Sequence, residues 1–172
     1  LSFASVTGLT ATLLHLFNHA LMKGALFMAM GCVVYRIGSV HIDAMAGLGK
    51  RMPWTMAAFV LGGLSLVGVP LTVGFVSKWF LILGALERGW WPVAVIVLLT
   101  SVLALVYVWR VVEAAYFRSY EGDEGGAQEA PWRLLVPTWA LVGANLYFGI
   151  DAVRTAQVAE RAAEVLMTGV GP

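Results

Sequence analysis

The sequence predicts an all-α membrane protein with about four transmembrane helices, the second discontinuous, and an amphipathic helix at the C-terminal end. Three observations carry this expectation. Of 172 residues, 60% are apolar and only 12% charged, with a mean hydropathy of +0.82; a soluble domain carries about a quarter charged residues. The apolar residues fall into long runs separated by short polar loops, and the second run is interrupted by glycine and proline. Composition also excludes other classes. A net charge of +1 lacks the basic stripe of a nucleic-acid binder. The single cysteine, Cys32, cannot close an internal disulfide. The opening Leu1-Ser2-Phe3 lacks the basic start and cleavage site of a signal peptide, so the chain is expected to be the C-terminal part of a longer membrane protein.

The first apolar run covers residues 7–35 and ends at Arg36. At about 1.5 Å per residue it makes roughly 40 Å of helix, enough for a hydrocarbon core of about 30 Å. A polar loop over residues 36–53 follows, with His41, Asp43, Lys50 and Arg51; the side chains of His41 and Asp43 are expected to be solvated. The second run, 54–86, would reach roughly 50 Å if straight, too long for one unbroken crossing. Its break is set by Gly68, Pro70 and Gly74. Proline removes a backbone donor and pushes Val69 out of the helical region, and each glycine weakens the helix by about 1 kcal/mol.

The third span covers 91–117, where Trp90 and Trp91 suit an interfacial belt and Pro92 a first helical turn. The loop at 118–131 is rich in acid and glycine, including Glu121, Asp123 and Glu124. The fourth span is 132–150, with Trp132 and Trp139 as interfacial or packing residues. These spans form the unit 1–150. The tail, 151–172, places Ala152, Val153, Ala156, Ala159, Ala162, Ala163 and Leu166 on a stripe opposite Arg154, Glu160, Arg161 and Glu164. That pattern predicts an interfacial or partner-facing helix. Arg36, Lys50, Arg51, Arg118 and Arg133 lie on one side, and Arg88, Arg154 and Arg161 on the other. The positive-inside rule places the first group in the cytoplasm.

Ionisable groups at bilayer depth are costly and mark functional sites. His15, His19 and Lys23 are spaced by four, which makes a gently drifting row roughly 12 Å long on one helix face. Imidazoles both accept and donate, so the row can relay protons through intervening waters. The bland alternative is interhelical hydrogen bonding, with Lys23 paired to an acid. Zinc chelation is disfavoured, because the zincin glutamate is absent and Lys23 repels a cation. Lys78, just past the break, is expected near the amide end of the second half-helix, as a relay or gate. Arg110 and Glu113, three apart, are expected to pair with each other, and Asn18 points away from the row. No nucleophile–base arrangement, phosphate loop or cofactor motif is present in this reading.

Two stretches carry a resemblance: His15-Leu16-Phe17-Asn18-His19-Ala20-Leu21-Met22-Lys23-Gly24-Ala25-Leu26-Phe27, and Gly68-Val69-Pro70 followed by Gly74-Phe75-Val76-Ser77-Lys78. Together they resemble the proton-translocating antiporter-like membrane family. It comprises the large subunits of Mrp-type multisubunit cation/proton antiporters and the related membrane-arm subunits of respiratory NADH:quinone oxidoreductase. The resemblance implies two inverted repeats, the second with a histidine–histidine–lysine helix and then a broken helix bearing the gate lysine. Here these positions are His15, His19, Lys23 and Lys78. Residues 74–86 and 108–117 are most similar to the D-type subunits of Mrp antiporters. Leu71 stands where relatives often have a second proline, and Trp79 replaces the aspartate typical of the distal respiratory subunit. The first repeat is missing, so this piece alone is not expected to transport.

The resemblance implies a membrane subunit of a monovalent cation/proton (Na+/H+) antiporter in a bacterial-type cell membrane, conducting protons along a buried His/Lys axis. Its implied partners are other subunits, lipid, protons and Na+, with no cofactor. The alternative is a proton-pumping subunit of a redox complex such as NADH:quinone oxidoreductase. A third reading makes the spans an anchor that docks other subunits.

Overall fold

The computed structural model describes residues 5–120 and 127–169. The opening Leu1-Ser2-Phe3 and the acid- and glycine-rich stretch 121–126, with Glu121, Asp123 and Glu124, lie outside the described residues. Helix α1, Val6–Ile37, is the axis of the molecule. The Ser5 hydroxyl caps its start by accepting from the Gly8 amide at 3.1 Å. Gly38, in the left-handed conformation, closes its end on the Val34 carbonyl.

In the loop after α1, His41 and Asp43 are exposed, while apolar neighbours fold inward. A 3₁₀ turn at Asp43–Met45 and a single-turn helix α2, Leu48–Arg51, fold Met45, Leu48 and Met52 into the core, each at most 1% exposed. Asp43 is exposed but ion-paired to Arg118 at 2.9 Å, which ties this loop to the end of the third span. The reason is apolar: the three side chains close one end of the bundle.

Helices α3, Pro53–Val67, and α4, Val73–Glu87, are the two halves of the interrupted span. At 15 residues each they reach roughly 22 Å, so neither alone crosses a core of about 30 Å. Both lie along α1. Gly62 packs on Ala25 and Leu26, Asn18 bonds to the Val73 carbonyl, and His15 meets Ser77. Residue numbers rise along α3 and α4 as they fall along α1, so the halves form one broken traverse antiparallel to it. The Glu129 carboxylate caps the start of α3, accepting from the amides of Trp54 at 2.8 Å and Thr55 at 3.4 Å. The Arg36 guanidinium holds the Glu129 carbonyl, joining the end of α1 to the same corner.

Helix α5, Trp91–Phe117, returns antiparallel to α3, with Val108 against Gly63. Most of its apolar surface is exposed, as at Ile96 and Leu103, which suits lipid contact. Helix α6, Trp132–Ile150, packs on α1 through Phe148 on Phe17 and Leu141 on Gly24. Trp139 is half-buried against Trp54, whereas Trp90, Trp91 and Trp132 are exposed. Helix α7, Ala152–Thr168, bends 81° from α6 and seats Ala159 and Ala163 against the rest of the molecule. Val153 and Leu166 of the predicted stripe stay exposed, so it is only partly covered. By length and apolarity α1 and α5 can each cross a membrane alone, and α6 with α7 forms a third candidate. With the broken α3–α4 traverse, the molecule is a helical membrane bundle.

Close packing at the break demands glycine at position 74: a Cβ there would overlap the Ser65 carbonyl oxygen and press on Met22. Gly74→Ala is therefore expected to cost at least about 3 kcal/mol, the upper end for overpacking. Gly143→Ala, inside α6 with open space around it, is expected to stabilise by about 0.5–1 kcal/mol. Thermal unfolding of the full-length subunit in detergent checks both.

Candidate functional site

The break runs from Gly68 to Thr72, between α3 and α4. Gly68 takes φ 95°, and its amide turns back onto the carbonyls of Leu64 and Ser65. Leu71 also lies in the left-handed region, at φ 71°, which a proline could not adopt. Thr72 donates its hydroxyl to the Val69 carbonyl at 2.6 Å. The interruption leaves the last carbonyls of α3, at Leu66 and Val67, without helical partners.

Lys78 satisfies them. Its Nζ donates to the Leu66 carbonyl at 2.8 Å, the Val67 carbonyl at 2.8 Å and the Ser101 hydroxyl of α5 at 2.7 Å. An ammonium has three donors, and here each has an acceptor. This corrects the electrostatic expectation. Lys78 reaches the carbonyl end of α3, not the amide end of α4, because a helical side chain points back toward its N-terminus and four methylenes span the gap. The carbonyl end of a helix carries partial negative charge and favours a cation. Lys78, Ser101, Gly68 and Trp79 line a cleft of about 290 Å³ there.

One residue earlier on α4, Ser77 faces α1. Its hydroxyl donates to the Gly74 carbonyl at 3.3 Å, which leaves its oxygen to accept from His15 Nδ1, also at 3.3 Å. The His19 ring follows at 5.5 Å between centroids. His15 also lies within electrostatic reach of both His19 and Lys78. The structure thus brings together His19, His15, Ser77, Lys78 and Ser101 across three helices. Lys23, half-buried, and His19, exposed, have no side-chain hydrogen bond among the described residues. The row drifts from the α4 seam toward the side of α1 where Leu16 and Phe27 are each 71% exposed.

Other expectations fail or were incomplete. Arg110 and Glu113 do not pair with each other, whereas Arg118 pairs with Asp43 and Arg154 with Asp151. Arginine preceding the acid by three is the weaker orientation on a helix, and Arg110 is exposed. Asn18, which had no expected role, is 1% exposed and donates to the Val73 carbonyl at 3.0 Å, holding the first turn of α4 against α1. Ser65 and Asn145, both buried, bond at 3.0 Å and tie α3 to α6 beside the break. A polar residue inside an apolar run was the available signal for Asn18, Ser65, Ser101 and Asn145. Among the described residues no group of three or more His, Cys, Asp or Glu side chains converges.

Gly68 and Gly38 both need a positive φ, but only Gly68 lies against a side chain: a Cβ there would be 3.1 Å from Lys78 Cδ. Gly38→Ala is expected to cost about 1–2 kcal/mol and Gly68→Ala more. Adding Lys78→Ala to Gly68→Ala should remove the excess in a double-mutant cycle followed by thermal unfolding.

Residues 1–104 match the family described as NADH:quinone oxidoreductase/Mrp antiporter, TM. The chain is 39% identical over 160 residues to NADH-quinone oxidoreductase subunit N of Desulforudis audaxviator, covering 89% of this chain and 32% of that protein. It is 30% identical over 168 residues to the D subunit of the Na(+)/H(+) antiporter of Bacillus subtilis, covering 95% of this chain and 33% of that protein. Its fold matches a chain of the Mrp complex from Dietzia sp. DQ12-45-1b with a TM-score of 0.85 at 23% identity, covering 95% of this chain and 38% of that one. The chain therefore spans about a third of the length of these curated relatives. With its matched residues, its broken helix and its helical bundle, the chain belongs to the NADH:quinone oxidoreductase/Mrp antiporter transmembrane family.

Proposed function

We propose that this chain is the C-terminal part of a membrane subunit of a multisubunit Na+/H+ antiporter. Residues 1–150 supply part of the proton-translocating domain, and 151–172 an amphipathic tail. Protons pass along His15, His19 and Lys23, and Lys78 at the broken helix gates their exchange. The observation that carries this reading is the placement of Lys78: its amine closes the break and its α4 neighbour Ser77 touches His15. Charge placed at such a junction costs least where acceptors are already aimed at it, so its loss or gain is coupled to the geometry of the break. The partners are the other subunits of the complex, and the setting is a bacterial-type cell membrane.

A second reading has its own support. The 39% identity to a protein named NADH-quinone oxidoreductase subunit N favours a proton pump powered by redox chemistry in neighbouring chains. Gene neighbours separate the two: small antiporter subunits accompany the first, and flavin or iron–sulfur subunits the second.

In the complete complex, Lys78→Ala is expected to lower proton flux by about tenfold or more with assembly intact. Everted vesicles with a pH-sensitive dye measure the flux, and a native gel measures assembly. Normal flux from the assembled variant would leave only an anchoring role for these helices.

A further inference from the structure

We propose that the Ser101 hydroxyl is the reversible hydrogen-bond partner of Lys78, the one contact at the break able to follow the lysine between its charged and neutral forms. This rests on the gating role given to Lys78 above. Of the three groups around Nζ, the Leu66 and Val67 carbonyls can only accept. A hydroxyl both donates and accepts. In the structure Ser101 accepts from Nζ at 2.7 Å and donates to the Val97 carbonyl, one turn back on α5, at 3.1 Å.

The exchange balances simply. When the ammonium gives one N–H proton to a water in the adjoining cleft, the electron pair of that bond stays on Nζ as a lone pair. The Ser101 O–H then rotates away from the Val97 carbonyl and donates to that lone pair, while the two remaining N–H groups keep the Leu66 and Val67 carbonyls. Protonation reverses each move. The Val97 carbonyl loses little, because its helical bond to α5 persists and the serine bond is an addition to it. Without the hydroxyl, the neutral amine's lone pair would be left without a donor, and the ammonium would lose its third acceptor.

Few other ionisable groups bear on Lys78. From α1 it meets His15, within electrostatic reach. Helix α3 has no ionisable side chain, the next one along α5 is Tyr107, six residues past Ser101, and the Tyr147 ring of α6 packs edge-on against Phe148. Ser101 is thus a positioning residue, acting through Lys78.

The test compares Ser101→Ala, Ser101→Thr and Lys78→Ala in the complete complex, with exchange measured against pH in everted vesicles and assembly checked on native gels. Ser101→Ala is expected to lower the pH midpoint of exchange, by at most about one unit, because the bond lost to the ammonium is charge-assisted and about twice as strong as the one lost to the neutral amine. Ser101→Thr, which keeps the hydroxyl, should retain the wild-type midpoint. An unchanged midpoint in Ser101→Ala, even with a reduced rate, overturns the proposal, as does an equal displacement in Ser101→Thr. If Ser101→Ala does not assemble, Ser101→Cys, a weaker donor and acceptor, must show an intermediate displacement, and a wild-type profile there overturns it equally. Full exchange by Lys78→Ala would instead overturn the gating role itself, so the two failures are distinguishable.

Discussion

A helix broken inside a bilayer leaves backbone carbonyls without their helical donors, and the protein or a hydrated cleft beside the break must supply replacements. Here the donor is the amine of Lys78, which bonds the last two carbonyls of α3 from the second turn of α4. Much of the local structure serves that closure. Gly68 turns the chain out of α3 and leaves room for the lysine stem, Gly74 lets α4 press against Ser65, and Ser101 brings α5 to the same point. Asn18 fixes the first residue of α4 from the side of α1. The break is a packed junction of four segments, and a single basic side chain bridges its two ends.

The same junction connects to the histidine row through one residue of α4. Ser77 and Lys78 are consecutive and therefore point about 100° apart, so one faces α1 and the other the α5 side. That divergence puts His15 and the amine on opposite sides of a single turn, linked through the backbone of the break. Beyond His15 the row turns from the seam toward a face of α1 that also carries exposed Leu16 and Phe27. Histidine and lysine on a lipid-facing surface would be costly, and this chain spans about a third of its relatives' length. Burial of His19 and Lys23 by further helices of a longer protein would remove that cost.

The architecture was largely legible from the residues. Apolar runs bounded by Arg36, Trp91, Trp132 and Asp151 place the helices, because the hydrophobic period and its polar ends are local properties. The interruption was legible for the same reason, since Gly68 and Pro70 act on their own backbone. The surroundings of Lys78 were not. Sequence position put it near the amides of α4, but the length and backward tilt of its side chain carried it to the carbonyls of α3. Glu129 capping α3 across more than seventy residues, and the Ser65–Asn145 bond, are likewise invisible to local patterning. Arg110 and Glu113 show the converse: spacing made a pair plausible, and exposure removed the need for one.

Closure of the broken helix by the Lys78 amine, at a junction shared with the histidine row, is open to direct observation. The decisive experiment is a high-resolution structure of the complete subunit in its complex, in a lipid bilayer. Density for Nζ is expected within hydrogen-bond distance of the Leu66 and Val67 carbonyls, with His15 against Ser77 and with His19 and Lys23 covered by protein. An amine turned out into lipid, with those carbonyls bonded elsewhere and the histidine row facing acyl chains, would refute the closure and the shared junction together.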